Sequence, residues 1–458
     1  MHIKKYDHDY SRRVFLDRVT KGSMAAGVLA PLWPMIGHSA DVEKAYPEEL
    51  LSIEAYTKGQ IKTGDMVTAE NVELVKDLLD PVAYVQISQM GRRIKIAPTT
   101  TDVTKLYPYE YLQATLRNSG KAMMDADGNV YTKEGQPWIG GNPFPEATNG
   151  MEVFANITLS WGRHDTNLYA IRDWDIGPDG TQQYQYDFCW AEQNTVGLVN
   201  DPAQPYWVGQ EDKLRYQSVW FTYPNDSRGT SFLNVWDYDQ RKFPELQGYI
   251  PAFKRVRRFP SSQRFEPLVP GVTFFLSDAW AAGDPMLTWG NYKVIGRQPM
   301  LGAISNNWMG NNPNYEPAVH GGPEGITFFD QSMELIPETI VVEAEPTGYP
   351  RAPVSKKRVW IDTRNMMFVA YVTYDRRGEL WKSFEPSFSQ YVQGDTVKMD
   401  GDHPVWSWTH VHSHDIQTNR MSRLYQAQEI RGGFKSGYNE GDLYERYMTV
   451  PALRRLGS

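Results

Sequence analysis

From about residue 180 onward the side chains alternate along the chain, and that period of two limits what the chain can fold into. Tyr184, Tyr186, Phe188 and Trp190 fall on one face of an extended segment, with Gln185, Asp187 and Cys189 on the other. Similar patterning runs through 214–223, 231–238, 339–345, 357–362, 366–374 and 379–391. Short turns separate several of these runs. Thr363-Arg364-Asn365 is one, and Asp375-Arg376-Arg377-Gly378, with an opening Asp and a closing Gly, is another. Strands joined by turns this short pair antiparallel. No strand–helix–strand alternation appears, which argues against a doubly wound parallel sheet. The fold class read from this pattern is α+β, mostly antiparallel β, with one large sheet over about 150–430.

Ahead of the sheet the signal is helix and loop. Apolar Val72, Val75, Leu78 and Leu79 have a helical period, which predicts a helix over 69–79. Thr68 stands at its N-cap, Asn71 holds the position where a capping box prefers Glu, and Pro81 ends it. A second helix is predicted over 107–116. Residues 135–150 form a Gly/Pro/Asn loop, and 240–252 and 305–325 read as long irregular loops of the kind that serve as lids or binding loops. The chain divides into 1–40, a helical and loop region over 41–140 that packs on the sheet, and a β domain over 141–458.

The first forty residues read as an export signal. Arg12-Arg13 followed by Phe15-Leu16 matches a twin-arginine signal, and a mildly apolar stretch from Met24 to Ile36 follows. Cleavage is expected near Ser39 or Ala40, which makes the mature protein periplasmic. Other function classes drop out on composition. A single cysteine, Cys189, excludes a disulfide within the chain and any multi-thiolate metal site. A net charge of −8 argues against nucleic-acid binding. Mean hydropathy is −0.55 and no apolar run is long enough to span a bilayer as a helix.

Motif searches for chemistry mostly fail. There is no Gly-x-Ser-x-Gly elbow, Walker loop, dinucleotide glycine fingerprint or His-Glu-x-x-His. His410, His412 and His414 would share one face of an extended segment, a donor set suited to Zn²⁺ or Cu²⁺, or else a polar face bonded to its neighbours. Asp173/Asp175 and Glu379/Glu385 are acidic pairs of the type glycosidases use, but chain spacing does not set their separation. Arg255, Arg257 and Arg258 make a basic block that meets an anionic headgroup or partner, or is a solvated strand face. Aromatics are 13% of the chain. Tyr184, Tyr186, Phe188 and Trp190, with Trp220 and Trp236 central in neighbouring runs, are the candidate walls of an apolar cavity.

Several short motifs, taken in order, resemble a known family. They are Gly141-Asn142-Pro143-Phe144-Pro145 with Asn149-Gly150, then the basic run through Pro260, then Trp289 with Lys293-Val294-Ile295-Gly296. Arg358 to Asp362, Asp375-Arg376-Arg377-Gly378 with Trp381, and the tail Thr449 to Arg455 complete the set. The family is a bacterial domain of unknown function often labelled outer membrane lipoprotein-sorting protein, similar in fold to the lipoprotein carriers LolA and LolB. The resemblance covers residues 60–458. It implies a strongly curved sheet, an open half-barrel, with helices and loops covering the concave face around an apolar cavity for acyl chains. It also implies a periplasmic role beside export pumps and outer-membrane proteins. Residues 240–253 are longer here than the corresponding turn of relatives, and the three-histidine run is not a family motif.

Three functions compete: a non-enzymatic carrier of a hydrophobic or acylated ligand, with no cofactor; a metal-dependent enzyme built on His410, His412 and His414; and a ligand-free subunit of an envelope transport assembly. The export reading is open to test alone. Replacing Arg12 and Arg13 together by lysine is expected to leave uncleaved precursor in the cytoplasm, as read by fractionation and immunoblotting; unchanged export of the double variant overturns it.

Overall fold

The structure, a computed structural model, describes residues 42–457. The twin-arginine segment lies outside the described residues. One sheet dominates. Its thirteen main strands are, in chain order, β1 (Thr166–Ile176), β2 (Gln182–Asn194), β3 (Lys213–Tyr223), β4 (Ser231–Asp237), β5 (Glu245–Ile250), β6 (Arg255–Phe259), β7 (Gly290–Gly302), β8 (Ser332–Glu345), β9 (Val354–Asp362), β10 (Met367–Asp375), β11 (Leu380–Gln390), β12 (Trp406–Asp415) and β13 (Arg420–Ala427). They lie in the order β7-β8-β9-β10-β11-β12-β13-β1-β2-β3-β4-β5-β6, every neighbouring pair antiparallel. The two ends, β7 and β6, do not pair, so the curved sheet stays open. Residues Ile94–Ile96 add a short strand parallel to the start of β8, which brings the N-terminal region into the sheet edge.

The two faces carry separate cores. Tyr186, Phe188 and Trp190 of β2 join a cluster that also holds Val219 of β3, Trp360 of β9, Phe384 of β11 and Trp408 of β12. Strands far apart in the order meet in this one cluster, so this is the inner face around which the sheet curls. Cys189 and Ala191 of β2 and Trp220 of β3 belong to a second cluster on the outer face. Cross-strand neighbours share a face, and the register pairs Cys189 with Trp220 and Trp190 with Val219. The C-terminal helices α4 (Leu443–Tyr447) and α5 (Val450–Leu456) cover the outer face, and Trp220 stacks on Tyr447 at 4.5 Å.

Three longer helices precede these, α1 (Pro81–Met90), α2 (Tyr109–Asn118) and α3 (Gly150–Thr158), after three single-turn helices between Val42 and Tyr56. Asp80 caps α1 by accepting from the backbone N–H groups of Val82 and Ala83 at 2.8 and 3.1 Å, with Pro81 at the first helical position. Asn149 caps α3 in the same way.

Local expectations fare unevenly. The helix expected over 69–79 is a 3₁₀ helix, Val72–Leu78. Asn71 does there what a capping-box Glu would, accepting the Thr68 N–H at 2.8 Å. The expected second helix starts two residues later, after Pro108. The expected loop over 240–252 holds strand β5 at its centre, paired on both sides with β4 and β6. The turn expected at 375–378 is present: the Asp375 carboxylate accepts from the N–H of Arg377 and Glu379, both at 2.9 Å, and Gly378 takes φ 79.

Trp220 is buried by the C-terminal helices, so its loss leaves a cavity of indole size. Trp220→Ala is expected to cost about 3–5 kcal/mol, measured as a lowered urea midpoint at unchanged m-value.

Candidate functional site

The inner face is aromatic, and the chain itself covers it. Trp161 stacks on Trp280 at 4.9 Å and meets Trp190 edge-on at 5.9 Å; Trp280 reaches Trp408 at 5.1 Å. α2 and α3 close part of the face. The rest is closed by residues 260–289, which carry only short 3₁₀ turns yet bring Val269, Val272, Leu276, Ala279 and Trp280 into the inner core.

Polar contacts anchor this cover. The Lys357 ammonium donates to the Ala281 carbonyl at 2.9 Å and lies over the Trp289 ring at 3.8 Å. Lys382 sits 3.7 Å from the Asp278 carboxylate. Burial lowers both lysines to about 8. Thr273 donates twice: its N–H to Ser422 Oγ and its hydroxyl to the Ser413 carbonyl, both at 2.9 Å. The Tyr186 hydroxyl donates to the Pro270 carbonyl at 2.8 Å, and Tyr371 to that of Asp278.

Of the six aromatic candidates, Tyr186, Phe188 and Trp190 line the inner face. Tyr184 is on the same strand face but 40% exposed. Trp220 is a correction: it faces outward, beneath α4 and α5. Trp236 belongs to a separate cluster at one end, under the guanidinium groups of Arg215 and Arg264. Arg255, Arg257 and Arg258 lie exposed on β6, the free edge strand. Arg258 bonds Glu245 at 2.9 Å, and Arg257 covers the Phe253 ring at 4.3 Å. Charged edge residues of this kind keep a sheet from adding a further strand.

The three histidines share a face, as alternation requires, but it is the outer one, and as a metal-ligand set they are a correction. His410 Nε2 lies 2.9 Å from Ser387 Oγ, His412 Nε2 accepts the Phe329 N–H at 2.9 Å, and His414 bonds Gln86 and Asn419 at 3.1 and 3.2 Å. Burial lowers His412 and His414 to about 4 and holds His410 well below the usual imidazole range, so all three are neutral. Among the described residues no three His, Cys, Asp or Glu side chains converge as metal ligands. Beside them Arg92 grips Glu385, Gln86 and Gln331 in a buried network. Burial alone would raise Glu385; Arg92, with the His412 hydrogen bond, outweighs it and lowers the carboxyl to about 2.

The family-motif positions are structural. A Cβ on Gly141, at φ 77, would meet the Thr115 backbone nitrogen at 2.3 Å, so only glycine lets the loop approach α2. Pro143 and Pro145 are buried beside Phe144, whose N–H and carbonyl both bond the Asn156 amide. Gly150 packs against Tyr292, Lys293 lies opposite Glu343, and Gly296 sits at a register shift of β7. Arg358 bonds Glu343, Asp362 bonds Arg364 at 2.7 Å, Arg377 pairs with Asp375 and Glu379, and Trp381 donates to Asp415 at 3.2 Å.

Asp173 and Asp175 of β1 alternate with Trp174 and so face inward with Ile171. Both are buried. Asp175 accepts a hydrogen bond from Ser422, and Asp173 has no hydrogen-bond partner on either oxygen among the described residues. Burial raises both, Asp175 to about 7, and the neighbouring Asp175 charge raises Asp173 further.

The fold and site define a sheet-shell protein: one open antiparallel sheet curled around an aromatic interior and closed by the chain's own irregular cover. The chain belongs to the family described as Protein of unknown function (DUF1329), whose model matches residues 66–454. No curated protein matches it. Among solved structures it is similar to a domain from Vibrio parahaemolyticus named for outer membrane lipoprotein sorting, at 16% identity over 65% of this chain and 93% of that one, with a TM-score of 0.41. A DUF1329 family protein from Desulfovibrio piger gives 14% identity, 63% and 92% coverage and a TM-score of 0.41. A LolA superfamily protein from Nitrosomonas europaea gives 12%, 62% and 96%, and 0.36.

Asp175 links stability to pH. Between the ordinary carboxylate range and about pH 7 the unfolded chain ionises Asp175 while the folded protein keeps its proton, so the stability this group gives is lost as pH rises through that window. Asp175→Asn is expected to raise the melting temperature at pH 8 and to change it little at pH 5. Equal shifts at both values would show that the carboxyl is not raised.

Proposed function

We propose that the protein is a non-enzymatic carrier for a hydrophobic or acylated ligand, held on the aromatic inner face beneath the 260–289 cover. One observation carries this reading: the cover over the inner face is an irregular segment pinned by polar contacts, while the sheet beneath is continuous. Such a segment can lift without breaking a strand pair. An alkyl chain entering in its place reburies the apolar surface that Val269, Val272 and Leu276 now cover, at about 25 cal/mol per Å². The ligand then needs no charged anchor to bind. The export signal read in residues 1–40 supports a periplasmic site of work, with an envelope export pump or outer-membrane proteins as the partners.

The reading is tested by displacement of a fluorescent undecanoate from the full chain, with hydrogen exchange followed over 260–289. Micromolar binding and faster exchange in that segment on binding are expected. Trp190→Ala is expected to weaken binding about tenfold, while Trp220→Ala, on the opposite face, leaves the affinity of the folded protein unchanged. Absence of binding by any amphiphile at micromolar concentration overturns the carrier and favours a ligand-free assembly subunit.

A further inference from the structure

Arg163 is a buried cation without a counter-charge. Its side chain is fully buried, and none of its three guanidinium nitrogens has a hydrogen-bond partner among the described residues. The guanidinium lies in an aromatic cage, 5.2 Å from the centre of the Tyr107 ring, 5.1 Å from Tyr111 and 5.9 Å from Trp406. The rings offset part of its lost hydration through their π faces, but they accept none of its N–H bonds. The carboxylate it senses, Asp362, is already committed to Arg364. Arginines 92, 264 and 364, buried to the same degree, each grip a carboxylate. Leaving a buried charge unpaired is strongly unfavourable, and a fork of five donors with no acceptor is more so.

Arg163 also lines a narrow cleft of about 20 Å³. Tyr109 and His403, whose rings stack at 3.5 Å, line it too, with Pro108 and Pro404. Two acidic groups stand there as well. Asp400 is tied to His164 at 3.3 Å and to Asn439 at 2.6 Å, and Glu110 is half-buried. A doubly charged phosphate would meet both of those charges. A carboxylate is singly charged, flat and matched to the guanidinium fork.

We propose that Arg163 is the anion anchor of the inner face and takes a carboxylate, either the head of a fatty acid or a small free carboxylate. Tyr107, Tyr111 and Trp406 belong to the same inner core as Trp190 and Trp280, and Trp406 stacks on Phe388 at 5.0 Å. An alkyl chain attached to a carboxylate at Arg163 would therefore start beside rings of the aromatic interior. This assigns the headgroup to a buried arginine and not to Arg255, Arg257 and Arg258 on the edge strand. The fatty-acid arm rests on the carrier reading; the carboxylate site itself does not.

The test compares decanoate, decanol and acetate on the full chain at pH 8, by calorimetry and thermal melting. Decanoate is expected to bind at least tenfold more tightly than decanol, and Arg163→Met to bring that ratio close to one. Arg163→Lys, which keeps the charge and loses the fork, is expected to fall between. Should Arg163→Met fail to fold, the lysine variant and competition by acetate against decanoate, but not against decanol, supply the same answer. Acetate that stabilises the wild type and not the variant, with no binding of either ten-carbon ligand, retains the anion site and removes the carrier. Decanol and decanoate bound equally by the wild type, or a ratio that survives Arg163→Met, overturns the anion site and leaves the carrier standing. No response to any of the three means that a water serves Arg163, and both readings fall.

Discussion

A sheet that is apolar on both faces cannot leave either one to water, and most of the chain outside the strands is placed by that requirement. The outer face takes the two C-terminal helices and Phe328–Phe329. The inner face takes α2, α3 and the 260–289 cover. The clothing is tied to the sheet by charge. Arg364 in the β9–β10 turn bonds Asp362, pairs with Glu334 at 2.7 Å and donates to the Thr100 carbonyl at 2.7 Å, joining the N-terminal region to β8. Lys357 and Lys382 perform the same service for the cover. Because each of these ties is buried, removing one partner would strand the other.

The hairpins on either side of β10 were legible because their turns sit where alternation pauses and because Asp375 and Gly378 have specific turn roles. β1 was not. Its inward residues include Asp173 and Asp175 and its outward ones Leu168 and Trp174, so polarity does not separate its faces. α1 was hidden because Pro81 was read as the end of the preceding element, while it opens a new helix capped by Asp80. β5 looked like loop on its composition, and only its two partners reveal it as strand.

Site residues were harder to read than elements, for a reason of register. Within β2 the face of each aromatic follows from counting, and that reading holds for Tyr186, Phe188 and Trp190. Between strands, faces depend on pairing, which the sequence does not state; Trp220 therefore went to the wrong side. Arg163 gives no periodic signal at all. It sits at φ 61 between Gly162 and His164, ahead of β1, and its cage is assembled from residues 107, 111 and 406.

β12 illustrates how much one residue can carry. Trp406 and Trp408 face the inner core, and so does Val411, an odd spacing that simple alternation forbids. The register explains it: Ser387 pairs with His410 and the next residue, Phe388, pairs with Trp408, so Thr409 is a bulge. Thr409 acts as a frame shift written into the fold. It lets a single strand serve the aromatic interior with its first half and then turn its histidines outward in the second. The strand can thus be read in two frames, and their boundary is one residue wide. Were Thr409 to take a place in the ladder, the same letters would turn the histidines inward and Val411 outward.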